Sequence, residues 1–331
     1  MDVVLTKSAP LFQSVRSALI EPHRFCRIFA ECIGVLVAML GVAVLVGGWL
    51  LDMAALRIFI PGWEAVKPNS ALALICIGNA LRLACHQPVA GLIRWGLWVH
   101  AAIALAIGLM TASQYLFNIN LGIDTLLLPD RNGGTSSEFP GRPAPNTAVA
   151  LSLLAVALFV LDSRARIGKL FIAELLAVSV CVVAYFALVA YIVRIPLLDQ
   201  VLSYTSMALP TALALFASGA GVLCARSNRG GMSLITGQTA GSFILRRLIP
   251  FVILLPLLFF VLPESGYYRG QFNTTVALAL SCTFITGIFI YMSLRWARRI
   301  DHMERTRDAV LEELKELNRS LESRVEERTQ V

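Results

Sequence analysis

The sequence predicts an all-α polytopic membrane protein, with eight transmembrane helices forming four repeated helical hairpins, followed by a cytoplasmic coiled-coil helix. Three observations lead there. Apolar residues make up 57% of the chain and charged residues only 15%, and mean hydropathy is +0.73, more apolar surface than a soluble chain of this size buries. A short phrase recurs at the start of every second apolar run. Beyond residue 294 the apolar blocks give way to a heptad.

Residues 1–27 read as a cytoplasmic N-terminal segment. The first apolar run begins after Arg24 and Arg27 and is too long for a cleavable signal core, so it is expected to remain as the first span. Apolar windows place spans near 28–51, 69–85, 93–116, 146–161, 170–193, 208–225, 248–263 and 273–294. A spanning helix takes roughly 20 residues. The second and fourth runs are short, which predicts that they sit partly within the protein.

Orientation follows from the connections. One side carries Lys7, Arg16, Arg24, Arg27, Arg82, Arg94, Arg164, Arg166, Lys169, Arg226, Arg229, Arg246, Arg247, Arg295, Arg298 and Arg299. The other carries only Arg57, Lys67, Arg131, Arg142, Arg194 and Arg269. The positive-inside bias then puts both termini in the cytoplasm of a bacterial inner membrane. The net charge of +7 is accounted for by this asymmetry and by attraction to anionic membrane lipid, with no nucleic acid required.

The repeated phrase opens the even-numbered spans: Pro68-Asn69-Ser70-Ala71, Pro145-Asn146-Thr147-Ala148, Leu209-Pro210-Thr211-Ala212 and Phe272-Asn273-Thr274-Thr275. Proline at a helix start loses nothing by lacking an amide hydrogen, and Asn, Ser or Thr there is expected to cap the first amides. The small residues that follow let neighbouring helices approach closely. Two connections stand apart: the long outer segment 117–145, rich in Gly and Pro, and the inner segment 226–247, expected to lie at the membrane interface. The seven cysteines show neither a CxxC pair nor metal-ligand spacing and read as small core or lipid-facing residues.

From 295 to 331 the chain reads as a signalling coiled coil. Ile300, Met303, Arg307, Val310, Leu314, Leu317 and Leu321 alternate in steps of three and four, the seam of a parallel homodimer interrupted at Arg307. The helix continues directly from the eighth span, so a rotation or tilt of that span would reach whatever follows Val331.

Several phrases carry a resemblance: Asn118-Ile119-Asn120-Leu121-Gly122-Ile123-Asp124, Gly141-Arg142-Pro143-Ala144-Pro145-Asn146-Thr147-Ala148, Arg246-Arg247-Leu248-Ile249-Pro250 and the tail Leu317-Asn318-Arg319-Ser320-Leu321-Glu322-Ser323-Arg324-Val325. Over nearly its whole length the chain resembles the N-terminal membrane sensor region of bacterial sensor histidine kinases and diguanylate cyclases. The resemblance implies a two-component receptor, with an output domain beyond Val331 and a response regulator as partner. The chain itself holds no nucleotide-binding or cyclase phrase, and His302 lacks the acidic neighbour of a phospho-acceptor.

Ionisable residues at membrane depth are functional suspects. His100 in the third span could ligate haem or sense protons, with an ordinary structural histidine as the alternative. Asn79 and Arg82 lie one turn apart near the inner leaflet, and Glu174 opens the fifth span. Arg82 and Glu174 are expected either to pair, coupling two hairpins, or to reach the interface separately. On the outer side, Asp124, Arg142, Asn146, Tyr115 and Arg269 would ring a ligand pocket. Trp63, Tyr115, Tyr191, Tyr204, Tyr267 and Tyr268 read as an interfacial belt. No metal site and no catalytic residue is expected, and whether haem, quinone or lipid is bound is left open. The leading reading is a signalling receptor's input region; the alternatives are a transporter or channel of repeated hairpins, or the sensor region of a diguanylate cyclase.

Overall fold

The computed structural model describes residues 23–59, 64–86, 89–128, 141–167, 170–193, 207–237 and 241–251, with positions 239, 253, 254 and several between 311 and 319. The chain divides into two units, Met1–Thr236 and Gly237–Val331.

In the first unit, α1 (His23–Leu50) is a 28-residue apolar helix whose last turns, Ala43–Leu50, are π-helical. The wider winding shows in the Leu51 amide, which donates to Val46 O at 2.9 Å. It carries Gly47 and Gly48, whose missing side chains make room for Leu56 and Arg57 of the short helix α2 (Ala54–Arg57) folded back against it. Next come α3 (Pro68–Cys85) and α4 (Gly91–Leu116), a 3-10 turn at Ile123–Thr125, and α5 (Pro145–Phe159). Strands β1 (Arg166–Ile167) and β2 (Leu170–Phe171) pair antiparallel and lead into α6 (Ile172–Val193). Helix α7 (Leu209–Ala225) is followed by α8 (Gly230–Thr236), turned 84° from it. On α8 Met232 is buried and Leu234 exposed.

Helices α1, α3, α4 and α6 are long and apolar enough to cross a membrane, and the bent pair α7–α8 makes a fifth if taken as one span; α5 is shorter. The expected spans near 248–263 and 273–294 fall almost wholly outside the described residues. In the second unit residues 241–251 are helical, with the Arg247 guanidinium 4.9 Å over the Phe243 ring. Of the heptad seam, Leu314 and Leu317 lie on a described helical stretch, both exposed. Ile300, Met303, Val310 and Leu321 are outside the described residues.

Among the described helices, the three carrying the repeated phrase are the interior ones. The apolar window of α3 is 72% buried, against 28%, 22% and 28% for α1, α4 and α6. Helices α3, α5 and α7 pack on one another, while α1, α4 and α6 flank them and turn Phe25, Leu36, Leu92, Trp95, Val182 and Phe186 outward. Short spans inside and long apolar ones outside is the arrangement their lengths predict.

Within each of the three described hairpins a glycine lets the helices meet with backbone atoms at close range. A β-carbon on Gly34 of α1 would lie 2.8 Å from Gly78 O of α3, and one on Gly41 2.6 Å from Ala71 O. In the second hairpin Gly108 of α4 leaves space only for Ala148 and Ser152 of α5, and in the third Gly219 of α7 faces Cys181 and Ala177 O of α6. Small residues at such crossings give the packing that lipid, being as apolar as leucine, does not drive.

The expected side-chain caps are not made by α3, α5 and α7. Asn69 reaches away from its own helix start, and its Nδ2 donates to Ile123 O at 3.0 Å. Proline in the first turn does begin each of these helices.

Gly78→Val should part α1 from α3 and cost about 1–3 kcal/mol, as overpacking does, with a lower thermal midpoint in detergent. Substituting Gly91, where an added β-carbon meets nothing within 4 Å, tests backbone strain alone and not helix separation.

Candidate functional site

Two polar clusters close the ends of the bundle. One lies at the face where α3, α5 and α7 begin, the other where they finish.

At the first face each outer helix ends on an aromatic residue whose polar tip is tied down. Trp49 Nε1 donates to Val66 O at 2.9 Å, Tyr115 OH to Pro143 O at 3.1 Å and Tyr191 OH to Met207 O at 2.6 Å. Each acceptor stands two residues before the first residue of α3, α5 or α7. The same clamp thus recurs in all three described hairpins. Tyr115 and Tyr191 belong to the expected aromatic belt and also do this internal work.

Around the middle clamp the two described ends of the long connection, 117–128 and 141–145, meet in a buried knot. Arg142 Nε donates to Asp124 Oδ2 at 2.9 Å, Gln114 Nε2 to Asp124 Oδ1 at 3.0 Å, and the Leu121 amide to Gln114 Oε1 at 2.9 Å. The guanidinium also lies 5.3 Å over the Tyr115 ring. Gln114 is fully buried, Arg142 5% and Asp124 6% exposed, so this ion pair works in a low dielectric with both carboxylate oxygens satisfied. Gly141, at φ +79°, approaches Asp124 O so closely that a β-carbon would stand 2.6 Å away.

Three of the five expected pocket residues are therefore brought together, Asp124 bonded to Arg142 and the Arg142 guanidinium over the Tyr115 ring. Asn146 stands in the first turn of α5, its Oδ1 accepting from the Thr147 amide at 2.8 Å, and Arg269 lies outside the described residues. Gln114, the centre of the knot, was not among the candidates. A lone amide near the end of an apolar run was its only sequence signal.

At the opposite face two arginines gather the ends of the three interior helices. Arg226 Nη1 donates to Ala84 O of α3 and to Ala225 O of α7, both at 2.9 Å, and Arg229 Nη2 donates to Leu161 O just past α5. Cations at helix C-termini oppose the negative end of the helix dipole. Asp162 holds both, bidentate to Arg226 at 2.7 and 3.1 Å and 3.5 Å from Arg229. Burial alone would raise the Asp162 carboxyl, but the Arg226 hydrogen bonds and the charges of Arg226, Arg229 and Arg94 outweigh it and hold it below the ordinary carboxylate range. Arg229 and Arg166 flank the Phe171 ring at 4.8 and 4.2 Å.

Glu174 belongs to this face, but without Arg82. Its carboxylate accepts from the Phe171 amide at 3.1 Å and the Met232 amide at 3.4 Å, joining the start of α6 to α8. Gly230, at φ +59°, fits because a side chain there would overlap that carboxylate. Arg82 is exposed and makes no ion pair with Glu174, so of the two alternatives the pair that would couple two hairpins is not formed. The coupling runs instead through Arg226, which the sequence offered only as one of many basic loop residues.

His100 and Asn79 each turn back on their own helices, His100 Nδ1 lying 2.7 Å from Gly96 O and Asn79 Nδ2 donating to Ile75 O at 3.1 Å. Among the described residues no group of three His, Cys, Asp or Glu side chains is placed to hold a metal.

Arg142→Met should cost about 3–5 kcal/mol, because Asp124 would be left buried and unpaired. The double variant Arg142→Met with Asp124→Leu should recover much of that, read as thermal midpoints in detergent. No family model, curated protein or solved structure matches the chain.

Proposed function

We propose that the chain is the membrane input region of a bacterial signalling receptor, most consistent with a sensor histidine kinase. In this reading eight spans, as four hairpins, detect a stimulus, and the eighth passes a conformational bias into a dimeric cytoplasmic coiled coil. The single observation that carries it is the heptad that follows the last apolar run, with Leu314 and Leu317 of the seam 58% and 59% exposed on a helical stretch. A leucine at a heptad seam position that is exposed on one chain, as Leu314 is, is what a second copy would cover.

The arrangement of the bundle supports input over transport. Its polar clusters sit at the two ends of the interior helices, which suits a body that tilts as a unit, and its mid-span positions are nearly free of charge. Both termini are assigned to the cytoplasm, which makes the Asp162 cluster cytoplasmic and the Asp124 knot periplasmic.

A transporter of repeated hairpins is the second reading, favoured by the 84° break between α7 and α8, since discontinuous helices line many transport sites. The break lies beside Arg226 and Arg229 at a helix end, away from the midplane where a transported substrate binds.

With the native cysteines replaced, Leu314→Cys and Leu317→Cys should each form oxidative cross-links between two copies in membranes. Glu312→Cys, on the opposite side of the heptad, should not. Equal cross-linking at all three positions, none at any, or solute flux in proteoliposomes would reject the input reading.

A further inference from the structure

Phe171 is a buried ring just before α6, and two guanidinium groups lie over it. Arg166 reaches it from across the β1–β2 pair, at 4.2 Å from the ring centre, and Arg229 from the break between α7 and α8, at 4.8 Å. Because both are held against one ring, the two charges are no farther apart than the ~10 Å over which salt screens them. The carboxylates of this face are committed elsewhere. Asp162 is bidentate to Arg226, and Glu174 accepts from the Phe171 and Met232 amides. Arg229 spends Nη2 on Leu161 O, with Asp162 Oδ1 3.5 Å from the same nitrogen. Arg166 is exposed, and among the described residues its guanidinium has neither an ion pair nor a hydrogen bond.

A guanidinium stacked on a ring is fixed through its flat face and keeps the N–H donors at its edge for other partners, which suits it to a phosphate. Two like charges held this close, one of them with no counter-ion, are stabilised by an anion between them. The neighbouring surface says which kind of anion. Ile167 on β1 and Leu234 on α8 are exposed. Leu170, paired with Ile167 across the ladder, packs on α8, where a β-carbon on Gly231 would meet its Cδ2 at 3.1 Å. A soluble anion gains nothing from these apolar side chains, whereas an acyl chain does. We propose that Arg166 and Arg229 form a site for the phosphate of an anionic phospholipid, with its acyl chains against Ile167 and Leu234. Basic pockets among spanning helices bind such headgroups. The lipid would balance the charge over Phe171 and tie the β1–β2 pair to the break between α7 and α8. The proposal rests on the bundle lying in a bilayer, and it holds for a receptor and a transporter alike.

The test is photolabelling of the full chain in vesicles of mixed phosphatidylglycerol and phosphatidylcholine, one or the other carrying a diazirine near the head of an acyl chain. Peptide mapping should show the phosphatidylglycerol probe labelling the Ile167 and Leu234 peptides about fivefold more than the phosphatidylcholine probe, the factor one basic residue contributes at an anionic surface. The two probes should label alike at Leu50 and Leu116, which are exposed at the opposite helix ends. Arg166→Gln should remove most of the preference. Arg164→Gln, which takes the same charge from an exposed neighbour, should leave it. Inorganic phosphate at the concentration of the lipid should not compete. The proposal is overturned if the probes label the Ile167 and Leu234 peptides alike, if Arg164→Gln acts as strongly as Arg166→Gln, or if inorganic phosphate abolishes the preference, which would make the ligand a soluble anion. No labelling at Leu50 and Leu116 by either probe would overturn it differently, by removing the bilayer it rests on. The wild-type labelling alone decides the site, so a variant that folds poorly does not leave it open.

Discussion

The first unit depends on helix backbones touching. At Gly34 and Gly78, at Gly108 against Ala148, and at Gly219 against Ala177, any side chain larger than hydrogen would drive two helices apart. In a lipid solvent, burial of leucine against leucine offers little gain over leucine against acyl chain, so association rests on close dispersion contact and on polar ties. The small residues of the repeated phrase meet that requirement, and the large apolar ones are left to face outward on α1, α4 and α6. One constraint thereby sorts the helices into an interior set and a flanking set.

Close packing settles the middle of the bundle and leaves the helix ends, where amides and carbonyls lack intrahelical partners. The two faces solve this differently. Where the interior helices begin, the clamps from Trp49, Tyr115 and Tyr191 hold the chain two residues ahead of each start, and the Gln114–Asp124–Arg142 knot ties together the two described ends of the longest connection. Where they finish, Arg226 and Arg229 bond the terminal carbonyls directly, with Asp162 balancing their charge. A displacement of any interior helix must disturb this arginine cluster, which makes it the natural point of coupling among hairpins.

Helix positions were legible because apolar runs of membrane length leave few alternatives. The expected spans at 69–85, 93–116 and 208–225 differ from α3, α4 and α7 by two residues or fewer at either end. The repeat was also legible, since Pro, Asn or Thr, and Ala recur in one order, but its purpose was not. Asn69 looked like a cap, and only the spatial proximity of residue 123 makes it a tie between hairpins. The polar clusters were partly legible for the same reason. Asp124 and Arg142 share one connection and could be grouped by eye, whereas Asp162 and Arg226 meet across 64 positions. Of the two alternatives for Arg82 and Glu174, pairing is not the one seen. Arg82 points outward from α3, while Glu174 found backbone amides from β2 and α8.

The central claim is that α3, α5 and α7 form an interior walled off by α1, α4 and α6. Photolabelling the reconstituted protein with a carbene precursor dissolved in the acyl-chain region, followed by peptide mapping, tests it most directly. The account predicts heavy labelling of Leu36, Val99 and Val182 and little on Leu74, Leu151 and Leu215, whose side chains are fully buried. Comparable labelling of the two groups would contradict it.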